Sequence, residues 1–307
     1  MYVLNIDILP VSINFKKKLE EYYTVIENDQ SNTISCEYVV GIYCRFAKLV
    51  DENLIKKYPN LRFIACNATG IQHIDKKACE RSGVTIYSLE NSAEFLSQNV
   101  TSSAEHTWCL ALASARNLKS HQNALNNKIF DRNRNFGIQL KDKTLGLIGI
   151  GRNGQQIARY ATAFSMQIKY YDPYKIVPEY EKISSLKDLF SVSDVVVISC
   201  TLTDETRNLV DLSVLKTGNS LILINTSRGE IVCESHVLQA LDQGYLASYA
   251  TDVISNESEP LKSEIYRQSL TDERVLITPH IAGATMDAWN ITEGHLADMI
   301  INAGHKI

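Results

Sequence analysis

Arg228, Glu257 and His280 are three side chains with complementary chemistry, and each follows an apolar run that ends in polar residues. An arginine holds a carboxylate through a planar fork of N–H donors. A histidine gains and loses a proton near neutral pH, and a carboxylate beside it fixes its ring and favours the charged form. Each has a plainer structural alternative: an ion pair of Arg228 with Asp252 or another acid, a histidine that only satisfies a strand end, and a solvated acidic stretch at Glu257-Ser-Glu259. What argues for the chemical reading is the pattern upstream of them.

Gly149, Gly151 and Gly154 form a GxGxxG turn that leaves an apolar strand at 144–150 and opens a helix reaching 164. In that context the glycines serve a tight turn, a close backbone approach to a pyrophosphate and helix–strand packing, and the helix N-terminus binds the phosphates. The next apolar run, 167–171, ends at Asp172, which lies 18 residues (172 − 154) past the third glycine. An acid at about 20 residues takes the ribose hydroxyls and repels a 2′-phosphate, so NAD is expected rather than NADP. Behind such a loop, Arg228 suits binding of a 2-oxo acid's carboxylate and His280 suits donation of a proton to its carbonyl oxygen as hydride arrives.

The elements that must position these residues alternate between short apolar runs and segments of helical period, the signature of βα units and a parallel sheet. The first third offers strands at 2–9, 37–44, 61–67 and 84–88 and a helix at 73–81, which makes one small α/β layer. The apolar helix 103–117 is expected to pack between domains or subunits, and the polar stretch 118–143 reads as a connecting arm. Strands at 144–150, 167–171, 195–199, 220–225, 246–253 and 275–278 predict a doubly wound sheet of five or six strands. The carboxyl ends of such strands face the ligand crevice, so Thr201, Thr226, Arg228, Asp252 and His280 are expected to converge there. A last helix at about 287–302 has no place in that sheet and is expected to cross back to the first domain.

Bulk properties limit the alternatives. A chain of 307 residues favours two domains, and 45% hydrophobic with 21% charged residues excludes wholesale disorder. A formal charge of −4 gives no cationic surface for nucleic acid or an anionic membrane. The seven cysteines form no CxxC pair and most lie in apolar runs, so no metal site is expected and the cytoplasm is the expected compartment. No basic leader and no run of 18 apolar residues is present, which disfavours secretion and membrane insertion.

The chain resembles the D-isomer-specific 2-hydroxyacid dehydrogenases over nearly its whole length. The resemblance is carried by 69–75 (TGIQHID), 104–107 (AEHT), 143–152 (KTLGLIGIGR), 224–229 (INTSRG), Asp252-Val253 and 278–285 (TPHIAGAT). It implies a Rossmann NAD-binding domain, 101–286, and a smaller flavodoxin-like α/β substrate domain, 1–100 with 287–307. It also implies a homodimer held by the helix at 103–117, and catalysis by the arginine, glutamate and histidine of these motifs. Thr69 and Gly70 would offer backbone donors to the substrate carboxylate. Arg152 and Asn153 would touch the pyrophosphate, Asp172 the ribose, and Thr201, Thr226 and Asp252 the nicotinamide side. Spacing from Asp252 selects Glu257 (252 + 5) as the glutamate, whereas the Glu-Pro dipeptide selects Glu259. Gln72-His73 and Asn91-Ser92-Ala93 depart from the family pattern, and no arginine pair near 43–45 is fit to grip a phosphate, so phosphoglycerate is not the favoured substrate. The same scaffold also serves non-catalytic NAD(H)-sensing proteins of corepressor type, and formate or phosphite dehydrogenases share the loop.

Overall fold

A computed structural model describes residues 1–45 and 48–304, the side chains of 32 and 33 aside; the end of the expected segment 287–307, residues 305–307, lies outside them. The chain divides into two units, Met1–Val100 with Thr285–Ile307, and Thr101–Ala284.

The first unit is a parallel sheet of β1 (Tyr2–Asn5), β2 (Thr24–Ile26), β3 (Val39–Cys44), β4 (Phe63–Cys66) and β5 (Thr85–Ser88) in the order β2-β1-β3-β4-β5. This is the flavodoxin-type order. The sequence reading missed β2, a three-residue edge strand, and began the helix Lys76–Arg81 three residues early. Successive side chains of β3 and β4 alternate between two cores: Tyr43, Phe63 and Ala65 face one, Ile42, Cys44, Ile64 and Cys66 the other.

The helix Met286–Asn302 belongs to this unit and packs on the helix Ile13–Leu19, adding Leu296, Ala297 and Ile300 to the core. It also brings Glu293, which is 0% exposed. Its carboxylate accepts from Ser12 N at 2.6 Å, Tyr43 Oη at 2.5 Å and Arg45 Nη2 at 2.6 Å. Burial and then that carboxylate push the Tyr43 phenol well above its ordinary value, so it remains a donor. Removing one partner of a buried pair leaves the other charge uncompensated. Glu293→Ala should therefore lower the unfolding free energy by about 3–5 kcal/mol, read as a fall in urea midpoint at unchanged slope.

The second unit has seven parallel strands rather than five or six: β6 (Thr144–Ile148), β7 (Gln167–Tyr171), β8 (Glu181–Lys182), β9 (Val195–Ile198), β10 (Leu221–Asn225), β11 (Leu246–Thr251) and β12 (Val275–Ile277). Their order, β12-β11-β10-β9-β6-β7-β8, is the doubly wound one with a strand added. β6, β9 and β10 are buried along their whole length because helices cover both faces, which is why they read as unbroken apolar runs.

The helix Ser102–Ala115 packs one face on the helix Arg152–Ala163 and on β10 and β11 of its own unit. One expectation needs correction. The arm at 118–143 begins with a helix, Leu118–Asn126, docked by polar bonds: Lys119 Nζ donates to the carbonyls of Ser269, Asp272 and Val275, and Ser120 Oγ to Glu273.

Candidate active site

The second unit's sheet changes direction between β6 and β9, and the glycine turn stands at the carboxyl end of β6. Gly149 has φ +89°, and a Cβ there would meet Cys200 backbone at 3.0 Å, so both conformation and space require glycine. Beyond it the helix Arg152–Ala163 starts with no side-chain cap, and an added Cβ on Gly151 would meet nothing within 4 Å. Asn153 Oδ1 is buried without a hydrogen-bond partner, and burial lowers the pKa of Arg152. Gly154 packs against the carbonyl of Gly149. An uncapped helix start with open space above it and a half-buried guanidinium beside it fits a pyrophosphate.

Asp172 follows β7. Its Oδ2 accepts from Ile150 N at 3.0 Å and its Oδ1 from Tyr174 N and Lys175 N at 2.9 Å each. Burial opposes ionisation, but these bonds outweigh it and the pKa is lowered. The carboxylate is thus held charged against the glycine turn, where it suits ribose hydroxyls and disfavours a 2′-phosphate. Thr201, exposed after β9, accepts at its carbonyl from Thr206 Oγ1 at 2.7 Å.

The ends of β10, β11 and β12 are joined by the backbone itself: Asp252 N donates to Asn225 O at 3.0 Å, and His280 N to Asp252 O at 2.8 Å. Arg228 leaves β10 on a turn pinned by Asn225, whose Nδ2 donates to Arg228 O at 2.9 Å. Gly229 lies so close to the next turn that a Cβ would be 2.1 Å from Ile254 C. The Arg228 guanidinium donates to Ser227 O at 2.7 Å and forms no ion pair among the described residues. Pairing with Asp252 is therefore not its role.

Asp252 is 1% exposed and occupied elsewhere. Oδ1 accepts from Thr278 Oγ1 at 2.5 Å and Ile281 N at 2.9 Å, Oδ2 from Ala282 N at 2.8 Å. Burial would raise its pKa, yet His106, Thr278 and the two amides lower it overall. In this unit the carboxylate clamps the turn that carries His280. His106, to which the sequence assigns no role, donates from Nε2 to Thr278 Oγ1 at 2.9 Å, and its neighbour Thr107 bonds Thr226 Oγ1 at 2.6 Å. Their adjacency on one apolar helix was the only signal.

A lowered pKa gives stability that is present above the unfolded value and lost as pH falls through the folded one. Wild-type stability should accordingly drop as pH falls below about 4, and Asp252→Asn should flatten that slope. It should also cost about 2–3 kcal/mol at pH 7, both measured by urea unfolding across pH.

His280 sits at φ +54°, a region histidine enters more readily than most residues but still at a cost of about 1–3 kcal/mol. Its Nδ1 lies 2.7 Å from Glu257 Oε2, and both side chains are partly exposed. Glu259 instead pairs with Lys262 at 2.7 Å. Thr69 and Gly70 lie in the first unit, in the loop after β4, with Thr69 exposed.

The family model of the D-isomer specific 2-hydroxyacid dehydrogenase NAD-binding domain matches residues 108–282. A glyoxylate reductase of Aeropyrum pernix is 34% identical over 261 residues, covering 80% of this chain and 74% of the relative. A hydroxypyruvate reductase of Thermotoga maritima is 31% identical, covering 89% and 87%. The chain spans about half the length of the D-3-phosphoglycerate dehydrogenases it also matches. Among solved structures, the TT0316 protein of Thermus thermophilus superposes with TM-score 0.83 and 25% identity, over 100% of this chain and 98% of that one.

Proposed function

The chain belongs to the D-isomer specific 2-hydroxyacid dehydrogenases, and from that premise we propose that it interconverts a small D-2-hydroxy acid and its 2-oxo acid with NAD as cofactor. The observation that carries this reading is the His280–Glu257 pair at 2.7 Å, on the same sheet as the open glycine turn. The turn Gly149–Gly154, Arg152 and Asn153 would hold the pyrophosphate, Asp172 the ribose, and Thr201 and Thr226 the nicotinamide side. Asp252, expected there too, is read as positioning the His280 turn.

When bound, NADH supplies the hydride that the keto carbon takes up, and NAD receives it in the reverse direction. Arg228 binds the substrate carboxylate with guanidinium N–H groups that no acid among the described residues occupies. With Nδ1 directed at Glu257, His280 exchanges its proton at Nε2, giving it to the carbonyl oxygen on reduction and taking it back on oxidation. Glu257 keeps the ring oriented and fixes which nitrogen faces the substrate. Thr69 and Gly70 would add backbone donors to the carboxylate.

Non-phosphorylated acids are favoured. Arg45, the arginine closest in sequence to a substrate-loop role, is 8% exposed and taken by Glu293 and the carbonyls of Leu9 and Pro10. Two relatives that this chain matches along most of their length are named for glyoxylate and hydroxypyruvate. A NADH-oxidation screen over glyoxylate, hydroxypyruvate, pyruvate, larger 2-oxo acids and phosphohydroxypyruvate tests the reading. Turnover of the unphosphorylated acids is expected. NADH binding without oxidation of any of them would refute it.

The reading extends to a cytoplasmic homodimer. Seven free thiols fit a reducing compartment, and no helix among the described residues is long and apolar enough to cross a membrane. Leu118, Leu125, Phe130 and Phe136 leave an apolar surface exposed along the arm, which suits a second copy of the chain. Sedimentation at micromolar concentration should give twice the chain mass; a monomer there would refute the dimer.

A further inference from the structure

We propose that Cys44, Cys66 and His73 bind one Zn²⁺ ion in the first unit, a site independent of the catalytic reading above. β3 and β4 are adjacent and parallel, and Cys44 and Cys66 are partners across them at the last residue of each strand. Both thiols point into the same core and are 1% and 0% exposed. His73 Nε2 is 3.6 Å from Cys66 Sγ and 3.9 Å from Cys44 Sγ, and all three ligand atoms lie within 4.8 Å of one another.

The Cys66–His73 separation is that of two ligands on one tetrahedral ion, and the Cys44–His73 separation is a few tenths of an ångström longer. Zn–S bonds of about 2.3 Å and a Zn–N bond of about 2.0–2.1 Å at tetrahedral angles put sulfur and nitrogen about 3.6 Å apart and two sulfurs about 3.8 Å apart. Two thiolates and one imidazole are soft-to-borderline donors, which selects Zn²⁺ over Mg²⁺ or Ca²⁺. Charge favours it as well, because Zn²⁺ with two thiolates is neutral overall and can be buried where two thiolates alone cannot. The imidazole is the partly exposed member, so a fourth ligand would be solvent-derived and come from its side.

The ligand set is fixed before any ion arrives. Val50 N donates to His73 O at 2.8 Å and Asp75 N to Val50 O at 2.9 Å, which holds the histidine's backbone beside the isolated bridge between Val50 and Ile74. Asn67 N donates to Cys44 O and Ala68 N to Cys66 O, tying the start of the same loop. An ion on these three residues would clamp both ends of the loop 67–73, which contains Thr69 and Gly70.

The test uses the full chain, reduced, stripped with chelator and titrated with Co²⁺ as a spectroscopic substitute for Zn²⁺. Expected are saturation at one ion per chain, a near-ultraviolet thiolate-to-cobalt band, and its loss on adding Zn²⁺. Cys66→Ser should abolish the band. His73→Gln should retain thiolate character while weakening binding at least about 10-fold; its position on the partly exposed side keeps the test available if the cysteine variant does not fold. A folded, reduced chain that shows no thiolate band, or a band of full intensity in Cys66→Ser, overturns the site. A Cys44–Cys66 disulfide that on reduction yields thiols without cobalt affinity also overturns it.

Discussion

His280→Ala is expected to lower kcat for reduction of the preferred 2-oxo acid by about 100- to 10,000-fold, with KM and NADH affinity little changed. The proton is needed only as the carbonyl oxygen gains charge, so its loss falls on the transition state and not on ground-state binding. The imidazole's orientation depends on Glu257 at 2.7 Å, and Glu257→Gln should therefore reduce kcat by at least about 10-fold. Glu259→Gln should stay within about 2-fold, since a surface pair with Lys262 carries little energy. Steady-state rates with saturating NADH decide it. Equal losses in the two glutamate variants, or a His280→Ala enzyme at wild-type rate, would sink the assignment.

Arg228→Ala should lower kcat/KM by about 100- to 1,000-fold, equivalent to about 3–4 kcal/mol for a lost pair of charged hydrogen bonds. Here the ground state suffers too, because the carboxylate is present throughout, so KM should rise along with the fall in kcat. Arg228→Lys should recover only part, as an ammonium lacks the planar fork. Stability should change by no more than about 0.5 kcal/mol, because this guanidinium makes no ion pair among the described residues and donates to Ser227 O. A variant that loses activity only in proportion to its folded fraction would refute the role.

Much of this architecture could be read from residue patterns. Strands such as Val195–Ile198 and Leu221–Asn225 announce themselves because both faces are covered, and the residues after them mark the site. The edge strands Thr24–Ile26 and Glu181–Lys182 could not be seen, since they bury little and their bonds depend on a neighbour. The helix Leu118–Asn126 was hidden for a related reason: its composition is polar, and it is docked by Lys119 reaching carbonyls some 150 positions away. In the site, Arg228, Glu257 and His280 were legible as residue types at strand ends. The clamp made by Asp252 and the bracing by His106 were not, because both arise from β11 and β12 lying side by side. The Cys44, Cys66, His73 cluster was equally hidden, its members meeting only through the pairing of β3 with β4.

The first unit is assembled from both extremities of the polypeptide, with the whole of Thr101–Ala284 emerging between its two parts. On the ribosome, therefore, the segment made first cannot mature first. Until the helix Met286–Asn302 leaves the exit tunnel, Arg45 lacks its carboxylate and the layer around Phe15 and Leu96 lies uncovered, while the later-made middle can already close on itself. Stalled nascent chains in which residues 1–284 are carried clear of the tunnel by a C-terminal linker should yield a protease-resistant middle and a digestible beginning; resistance of the beginning at that length would contradict this order of maturation.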